Sequence, residues 1–278
     1  MSVAWITGAG GLIGSQIVRA APREWSVRGL TRADFDLTDF AKMRAAFERD
    51  QPQLVIHCAA MSKTPACEAN PELARLNNVE VTRALAGLAA DIPLLFFSTD
   101  IVFDGRKGNY TENDAPNPLN VYAETKLAAE QIVLANPKHS VIRTSLNAGS
   151  TAGGTTFNEQ WRAAWRRGEV TKLFADEFRC PIAAEVTARA VWELVAASRP
   201  GLYHLNGAER LSRFAIGQLL AARWPQLNPR VEPSSIQDFP GPRRVPDCSL
   251  DVSKIQRLLA FPLPKFSAWL AENPGVEI

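Results

Sequence analysis

The chain has 278 residues, 46% of them hydrophobic and 22% charged, with a formal net charge of +2. This composition predicts a soluble globular protein, and the small charge gives no reason to expect nucleic acid or an anionic membrane surface as a partner. No apolar run approaches the roughly 18 residues that cross a bilayer, so no membrane-spanning segment is predicted.

In the first half of the chain, short β-rich segments alternate with helical ones, which predicts an α/β fold with a Rossmann-type doubly wound parallel sheet. The first strand, Val3-Ala-Trp-Ile6, is too short to be a signal peptide. Phe40, Met43 and Phe47 keep the spacing of a helix with one buried face. The predicted strands cover residues 3–7, 26–30, 54–57, 94–98 and 141–143, and the predicted helices cover 12–21, 40–50, 71–90 and 121–135.

After about residue 145 the alternation becomes less regular. We expect a dinucleotide-binding domain at 1–150 and a smaller C-terminal substrate-binding lobe at 151–278. The lobe is not expected to be independent, because part of 184–205 should belong to the main domain. Helices are predicted at 157–167, 184–197, 212–224, 253–259 and 265–272, a strand at 201–205, and mostly loop at 225–250.

The four cysteines show no C-x-x-C spacing, and the three histidines are scattered. Unpaired cysteines are usual in a reducing compartment, so we expect a cytoplasmic protein. The histidines form no ligand cluster, and no metal is predicted.

A glycine motif, T-G-A-G-G-L-I-G at residues 7–14, follows the first strand and opens the first helix. Gly8 suits the tight turn, Gly11 lets the backbone approach a pyrophosphate, and Gly14 lets the helix pack on the strand. The helix start then offers free amides to the phosphates. A glycine-rich turn without a ligand is the alternative, because the stricter G-x-G-x-x-G spacing is not met. The predicted cofactor contacts here are Gly8, Gly11, Leu12, Ile13 and Gly14.

The second strand is followed by Thr31 and Arg32, where an NAD site usually has an acidic side chain for the ribose 2′-hydroxyl. A guanidinium group suits a 2′-phosphate, because its fork matches the phosphate oxygens and its plane can stack on adenine. We therefore predict NADP(H) as the preferred cofactor and NAD(H) as the alternative. Arg32 could also be a surface arginine without a ligand.

Tyr122 and Lys126 are four residues apart on a predicted helix and share one face. A free phenol has a pKa near ~10, and a nearby ammonium group is expected to lower the pKa of Tyr122. Tyr122 could then exchange a proton with a substrate as a general acid or base. A Tyr–Lys pair on a solvated helix face is the alternative.

The apolar fourth strand leads into Ser98, Thr99 and Asp100. Ligands of open α/β sheets bind beyond the carboxyl ends of the strands. The Thr99 hydroxyl is therefore expected to hold a substrate carbonyl, with capping of the strand end as the alternative.

Together, these residues resemble the extended short-chain dehydrogenase/reductase superfamily and, within it, the dTDP-4-dehydrorhamnose reductase (RmlD-like) family, over nearly the whole chain. The most specific part is S-T-D-x-V-F-D-G at 98–105, whereas the glycine and Tyr–Lys motifs mark only the superfamily. Further matching segments are Asp36-Leu37, H-C-A-A at 57–60, Asn78, N-P-L-N-V-Y at 117–122, R-T-S at 143–145, F-A-D-E-F-R-C-P at 174–181, G-L-Y-H-L at 201–205 and P-R-R-V-P at 242–246.

The resemblance implies that Tyr122 protonates a carbonyl oxygen as NADPH delivers hydride, that Lys126 tunes Tyr122 and holds the nicotinamide ribose, and that Thr99 binds the substrate oxygen. The implied substrate is a small molecule, the 4-keto form of a deoxysugar linked to a nucleoside diphosphate, and a homodimer is left open. With Tyr122 and Lys126, the other predicted cofactor residues are Arg32, Asp36, Leu37, Cys58, Ala59, Ala60, Asn78 and Ser98. The predicted substrate residues are Asp100, Ile101, Phe103, Asn147 and Arg179.

The chain departs from the family pattern near the expected substrate cleft. Ile101 stands where the family usually has a tyrosine, and residues 146–149 lack an aromatic-rich W-x-Y-G segment. Gln16 stands where some members have a glutamate that helps to bind Mg²⁺ between subunits. A smaller ketone or aldehyde is therefore an alternative substrate. A non-catalytic NADP-binding subunit, similar to the regulatory β-subunit of methionine adenosyltransferase, is the alternative function.

Two further groups of side chains have open roles. Trp161 and Trp165 are expected in the core, with stacking on a base or sugar as the alternative. Arg179 and Arg243–Arg244 could bind a diphosphate or remain solvated.

Overall fold

The computed structural model describes residues 1–153 and 156–278 of the chain. The strands in this part are β1 (Ser2–Thr7), β2 (Trp25–Leu30), β3 (Leu54–His57), β4 (Leu94–Thr99), β5 (Ser140–Thr144), β6 (Asn147–Ala148), β7 (Val170–Phe174), β8 (Phe178–Arg179), β9 (Ile182–Ala183), β10 (Gly201–Leu205), β11 (Leu211–Ser212) and β12 (Arg230–Ser234). The α-helices are α1 (Leu12–Arg19), α2 (Phe40–Asp50), α3 (Thr64–Ala69), α4 (Pro71–Arg75), α5 (Val81–Leu88), α6 (Val121–Leu134), α7 (Phe157–Arg166), α8 (Ala184–Ala197), α9 (Arg213–Arg223), α10 (Ser253–Gln256) and α11 (Phe266–Glu272). A π-helical turn (Leu76–Glu80) joins α4 to α5.

Six strands form a parallel sheet in the order β10-β5-β4-β3-β1-β2. Both faces of the sheet are buried, because successive strand residues alternate between two cores. In β1, Ala4 and Ile6 pack on the side of α1 and α8, whereas Trp5 packs on the side of α2, α5 and α6. This arrangement confirms the predicted Rossmann-type doubly wound α/β fold.

The strand order reverses between β1 and β3, because the chain first moves outward to β2 and then returns to the other side of β1. In open parallel sheets, ligands bind at the carboxyl edge where this reversal opens a crevice. The segments that follow β1, β3 and β4 therefore lie at the edge where a cofactor and a substrate can meet.

The C-terminal part contributes to both the main sheet and a smaller lobe. Strand β10 pairs with β5 at the sheet edge, and Trp192 of α8 donates a hydrogen bond to the carbonyl of Ile17 in α1 at 2.9 Å. In the lobe, Trp161 and Trp165 are buried in its hydrophobic cluster, which confirms their expected place in the core.

One prediction of local structure, the burial of Phe40, was wrong. Residues 225–250 are mostly loop, as predicted, but β12 lies within them and pairs in parallel with β7. Its partner lies some sixty residues earlier, so no local pattern marks it. Phe40 is 40% exposed, although Met43 is fully buried, because Phe40 is the first residue of α2 and lies outside the face that packs on the sheet.

A buried ion pair fastens α6 to β5. Glu130 and Arg143 are 2% and 3% exposed and form three hydrogen bonds of 2.7 to 3.1 Å. Removing one member of such a pair leaves the other charge buried and uncompensated, which costs more than the pair itself contributes.

We expect Arg143→Met to lower the free energy of unfolding by about 3–5 kcal/mol. Arg167→Met is the matched control, because the Arg167–Glu169 pair is 59% and 51% exposed, and its loss should cost less than about 1 kcal/mol. Urea unfolding of both variants measures the difference. Equal costs for the two substitutions would contradict an anchoring role for the buried pair.

Candidate active site

The glycine turn between β1 and α1 leaves no room for a side chain at two positions. Gly8 has a φ of +68°, and a Cβ there would lie 2.8 Å from a backbone nitrogen just after β3. A Cβ on Gly14 would overlap the carbonyl oxygen of Gly8, so Gly14 lets α1 pack directly on the turn. Gly11 is the N-cap of α1. The amides of Leu12 and Ile13 therefore have no carbonyl partner within the helix and can face an anionic ligand.

Arg32 is exposed and lies two residues after Leu30, the end of β2, whose carbonyl accepts a hydrogen bond from the Ala9 amide of this turn at 3.1 Å. The neighbouring Thr31 side chain would contact a Cβ on Gly10 at 3.8 Å. Sequence reasoning missed Asp34 at this strand end. Asp34 accepts hydrogen bonds from the amide and hydroxyl of Thr31 at 2.9 and 2.8 Å, and these bonds lower its pKa. Asp36 makes equivalent bonds to the threonine two residues on, so both carboxylates are engaged in local turns.

The segment after β3 forms the next wall of the crevice. The Thr7 hydroxyl lies 2.7 Å from Nδ1 of His57 and accepts a hydrogen bond from the Ala59 amide at 3.2 Å. Burial lowers the pKa of His57 to about 3, so its imidazole is neutral. Burial also raises the pKa of the Cys58 thiol, which therefore stays protonated at neutral pH. Ala59 and Ala60 are partly buried beside the turn.

Asn78 ties this segment to α6. Its amide nitrogen donates to the carbonyl of Met61 and to the hydroxyl of Thr125, at 3.1 and 3.0 Å, and its oxygen accepts from the Met61 amide at 2.8 Å. Thr125 in turn donates to the carbonyl of Tyr122 at 2.8 Å. Asn78 lies in the π-helical turn, a feature frequent at functional sites. Sequence reasoning included Asn78 but missed Thr125.

Tyr122 and Lys126 lie on the first turns of α6, which Asn120 caps by accepting from a backbone amide at 2.9 Å. The Thr99 side chain, at the end of β4, lies close enough to the Tyr122 phenol to influence its pKa. Lys126 is 2% exposed, and its Nζ lies 3.9 Å from the ring centroid of Phe96. Burial lowers the pKa of Lys126 to about 7, and the charge of Glu130 opposes this change.

The pKa of Tyr122 is raised, not lowered as the sequence predicted. Burial is the main cause, the Asp100 charge adds to it, and the Thr99 side chain acts in the opposite direction. The prediction was wrong because the helix face that carries Tyr122 and Lys126 is buried, and burial disfavours charge on both groups. A phenol that keeps its proton is suited to donate it.

Asp100 and Arg179, two of the predicted substrate residues, are paired with other groups of the protein. Asp100 is 5% exposed and accepts from the hydroxyls of Ser145 and Thr99 at 2.7 and 3.2 Å. Arg179, also 5% exposed, lies 3.6 Å from the Asp100 carboxylate and donates to the Val245 carbonyl at 3.0 Å. Arg179 is therefore buried and paired, not solvated.

Two other predicted substrate contacts are also structural. Phe103 is fully buried and stacks on Tyr110 at a centroid distance of 4.1 Å, so it belongs to the core. The Asn147 amide donates to the Thr144 hydroxyl at 3.0 Å, and its oxygen accepts from Thr187 at 2.6 Å. Through these two bonds, the Asn147 side chain links β5 to α8.

Three further predicted residues have side chains without a polar partner in the part of the chain that the structure describes. Leu37 and Ile101 are partly buried, each packed at the margin of a hydrophobic cluster. The Ser98 hydroxyl is buried and has no hydrogen-bond partner in residues 1–153 and 156–278. Within that same part of the chain, no group of three or more His, Cys, Asp or Glu side chains could hold a metal ion, and no helix has the length and apolar character to cross a bilayer.

Comparisons with known proteins find relatives that match nearly the whole chain. Residues 2–273 match the RmlD substrate binding domain family. A probable low-salt glycan biosynthesis reductase of Haloferax volcanii is 31% identical, with 96% of each chain covered. The methionine adenosyltransferase 2 subunit beta of Xenopus laevis is 28% identical, with 92% of this chain and 82% of that protein covered. The crystal structure of a dTDP-4-dehydrorhamnose reductase from Bacillus anthracis in complex with NADP is 25% identical, covers 98% of each chain and superposes with a TM-score of 0.90.

The lowered pKa of Lys126 predicts a stability that rises with pH. Between about pH 7 and about pH 10.4, only the unfolded chain keeps this proton, so the free energy of unfolding should rise across that window. Relative to Lys126→Met, the wild-type protein should gain up to about 5 kcal/mol. Denaturant unfolding at a series of pH values measures this gain. Lys172 is exposed, so Lys172→Met is the control substitution. Its free energy of unfolding should differ from that of the wild type by the same amount at every pH. Parallel curves for Lys126→Met and wild type would contradict the assignment.

Proposed function

The chain belongs to the RmlD substrate binding domain family of extended short-chain dehydrogenases/reductases, and we propose that it reduces the 4-keto group of a deoxysugar linked to a nucleoside diphosphate, with NADPH as the hydride donor. As a member of this family, the protein is an NAD(P)-dependent oxidoreductase that acts on CH–OH and C=O groups. The substrate and the choice of cofactor are the proposed parts.

One observation carries the proposal: the phenol, the ammonium group and the glycine turn share one crevice. The Thr99 side chain at the end of β4 acts on the Tyr122 phenol. The charge of Lys126 acts on His57 and Cys58 at the end of β3. The backbone of Cys58 and of the residue after it would contact a Cβ on Gly8. A proton donor and a dinucleotide bound at the glycine turn could therefore act on the same substrate carbonyl.

The residues at the edge of the sheet fit a dinucleotide. The turn at Gly8 and Gly14 brings backbone close to backbone where a Cβ would not fit, and α1 presents its first amides there. Arg32 would pair with a 2′-phosphate, and Asp36 and Leu37 would border the adenine. Bound there, the nicotinamide supplies the hydride.

The protein's own residues then handle the proton and the orientation of the substrate. Thr99 would hold the substrate oxygen near the Tyr122 hydroxyl, and Tyr122 would donate its proton to that oxygen. Lys126 would stabilise the phenolate that results, because its ammonium group lies in a buried site where charges interact strongly. With its pKa near 7, Lys126 is charged in only part of the molecules at neutral pH.

We expect Tyr122→Phe to lower the rate of NADPH consumption by about 10²–10⁴-fold, because the proton donor is lost. The assay follows the near-ultraviolet absorbance of NADPH with a panel of nucleotide-linked 4-keto-sugars. Tyr203→Phe is the control, because the Tyr203 hydroxyl donates to the Arg199 carbonyl at 3.0 Å and has no proposed role. Turnover that survives Tyr122→Phe would refute the catalytic assignment.

The same assay separates the alternatives. Turnover of small ketones or aldehydes that neither dTDP nor UDP inhibits would indicate a smaller substrate. Binding of NADPH without turnover of any substrate would favour a non-catalytic binding role, the alternative suggested by the similarity to the Xenopus laevis methionine adenosyltransferase subunit.

Arg32→Ala should remove the preference for NADPH. We expect the dissociation constant of NADPH to rise by about 10- to 100-fold, because a charge-assisted contact with the 2′-phosphate is lost, while that of NADH changes little. Calorimetric titration measures both constants. Arg28→Ala serves as the control, because Arg28 is a neighbouring arginine that pairs with Asp50 at 3.1 Å. An unchanged ratio of the two constants after Arg32→Ala would overturn the NADP assignment.

A further inference from the structure

His57 is a buried titratable side chain that takes no part in the proton transfer described above. It is the last residue of β3, is 0% exposed, and lies beside Thr7, the last residue of β1, at the carboxyl edge of the sheet. Each ring nitrogen has a threonine hydroxyl as its partner. The Thr7 hydroxyl lies 2.7 Å from Nδ1, and the hydroxyl of Thr82 in α5 lies 3.1 Å from Nε2. The imidazole therefore links the strand before the glycine turn to the helix after the π-helical turn.

The contacts of the two threonines fix which ring nitrogen carries the proton. The Thr82 hydroxyl donates its single proton to the Asn78 carbonyl at 2.7 Å, so toward His57 it can only accept. Nε2 therefore carries the proton, and Nδ1 is the acceptor, because burial keeps the ring neutral. Thr7 then donates to Nδ1, while its oxygen accepts from the Ala59 amide at 3.2 Å. The opposite tautomer would leave the Thr82 oxygen against an acceptor with no proton between them.

The same run of hydrogen bonds continues to α6. The Asn78 amide donates to the Thr125 hydroxyl at 3.0 Å, and Thr125 donates to the Tyr122 carbonyl at 2.8 Å. Side chains thus connect the start of the glycine turn to the backbone of the proton donor. We call this set the His57 relay; its members are Thr7, His57, Thr82, Asn78 and Thr125.

The His57 ring also packs beside the aromatic ring that supports Lys126. Its centroid lies 5.5 Å from that of Phe96, and the Lys126 Nζ lies 3.9 Å from the same Phe96 centroid. A charged imidazole would repel this ammonium group. It would also carry a proton on Nδ1 and remove the acceptor of the Thr7 hydroxyl. The neutral ring is therefore the form that fits both contacts.

We propose that His57, as the neutral Nε2–H tautomer, is a positioning residue that sets Tyr122 against the glycine turn, an inference that rests on the proposed function. His57 acts through other groups: Thr7 holds the segment after β3, and the remaining members of the relay hold the first turns of α6. Hydride and proton must reach one carbonyl, so the distance between cofactor and phenol bears on the rate. A displacement of about 1 Å can cost on the order of 10²-fold.

The kinetic test cuts the relay on either side of the imidazole. Thr7→Val and Thr82→Val each remove one partner of His57 and nearly keep the side-chain shape. We expect each to lower kcat for NADPH-dependent reduction by about 10- to 100-fold, with little change in the KM of the sugar. Thr187→Val is the matched control, because Thr187 is also 0% exposed and donates to Asn147 at 2.6 Å, outside the relay. It should keep the wild-type kcat even if it lowers the melting temperature.

The double variant separates positioning from independent structural damage. Thr7 and Thr82 bond opposite nitrogens of one ring, so both substitutions interrupt the same relay. The double variant should then be no slower than the slower single variant. A kcat reduced by the product of the two single factors would overturn the proposal, as would a wild-type kcat in either single variant.

Nuclear magnetic resonance tests the relay without any substrate. The chain has three histidines and three tyrosines, so selective labelling gives few signals. In ¹⁵N-histidine protein, the signal that moves in both Thr7→Val and Thr82→Val belongs to His57, and its proton should lie on Nε2. In ¹³Cζ-tyrosine protein, Thr7→Val should shift the Tyr122 signal, which Tyr122→Phe identifies, whereas Thr187→Val should not. A proton on Nδ1, or a Tyr122 signal unmoved by Thr7→Val, would overturn the proposal.

The two kinds of measurement distinguish failure of this inference from failure of the proposed function. If the expected signals appear in a protein that reduces no keto-sugar, the relay is supported and the reductase function is refuted. If a keto-sugar is reduced at the wild-type rate by Thr7→Val and Thr82→Val, the reductase function stands and His57 has no positioning role.

Discussion

The burial of Lys126 is the constraint on which the active site depends. An ammonium group at 2% exposure over the Phe96 ring costs folding free energy, and its pKa falls to about 7 as a result. The surrounding fold must therefore keep the ammonium group buried, although water would stabilise its charge. Helix α6 is accordingly fixed at both ends, by the bonds from Asn78 to Thr125 near its start and by the Glu130–Arg143 pair near its end.

The fold thus concentrates unfavourable burial of charge at the functional edge of the sheet. Lys126 is one such group, and burial lowers its pKa. Asp100 is also buried, burial raises its pKa, and Ser145 and Arg179 hold its carboxylate. Such groups are tolerated where binding or catalysis repays their cost, since stability and activity often compete at the same residues.

Local patterns were sufficient to predict the main sheet and the place of the chemistry. The strands of the sheet are short apolar runs, and the turn at Gly8 and Gly14 follows from a steric rule that leaves a visible trace in the sequence. The i, i+4 relation of Tyr122 and Lys126 is equally local. The pKa of Tyr122 was mispredicted, because it depends on how deeply the helix face is buried, and that follows from packing between distant segments.

The substrate side was predicted less well for the same physical reason. Whether an arginine is free or paired depends on partners far away in the chain: Arg179 bonds the Val245 carbonyl, and Glu177 bonds Arg244, across more than sixty residues. A motif can show that an arginine is present, but the packing of the lobe determines which carboxylates and carbonyls that arginine contacts. Catalytic groups therefore follow the sheet and its short-range patterns, whereas recognition of the substrate follows the pairing of charges in the lobe. Two chains of this fold can then share the proton-transfer site and still differ in the molecule that they bind.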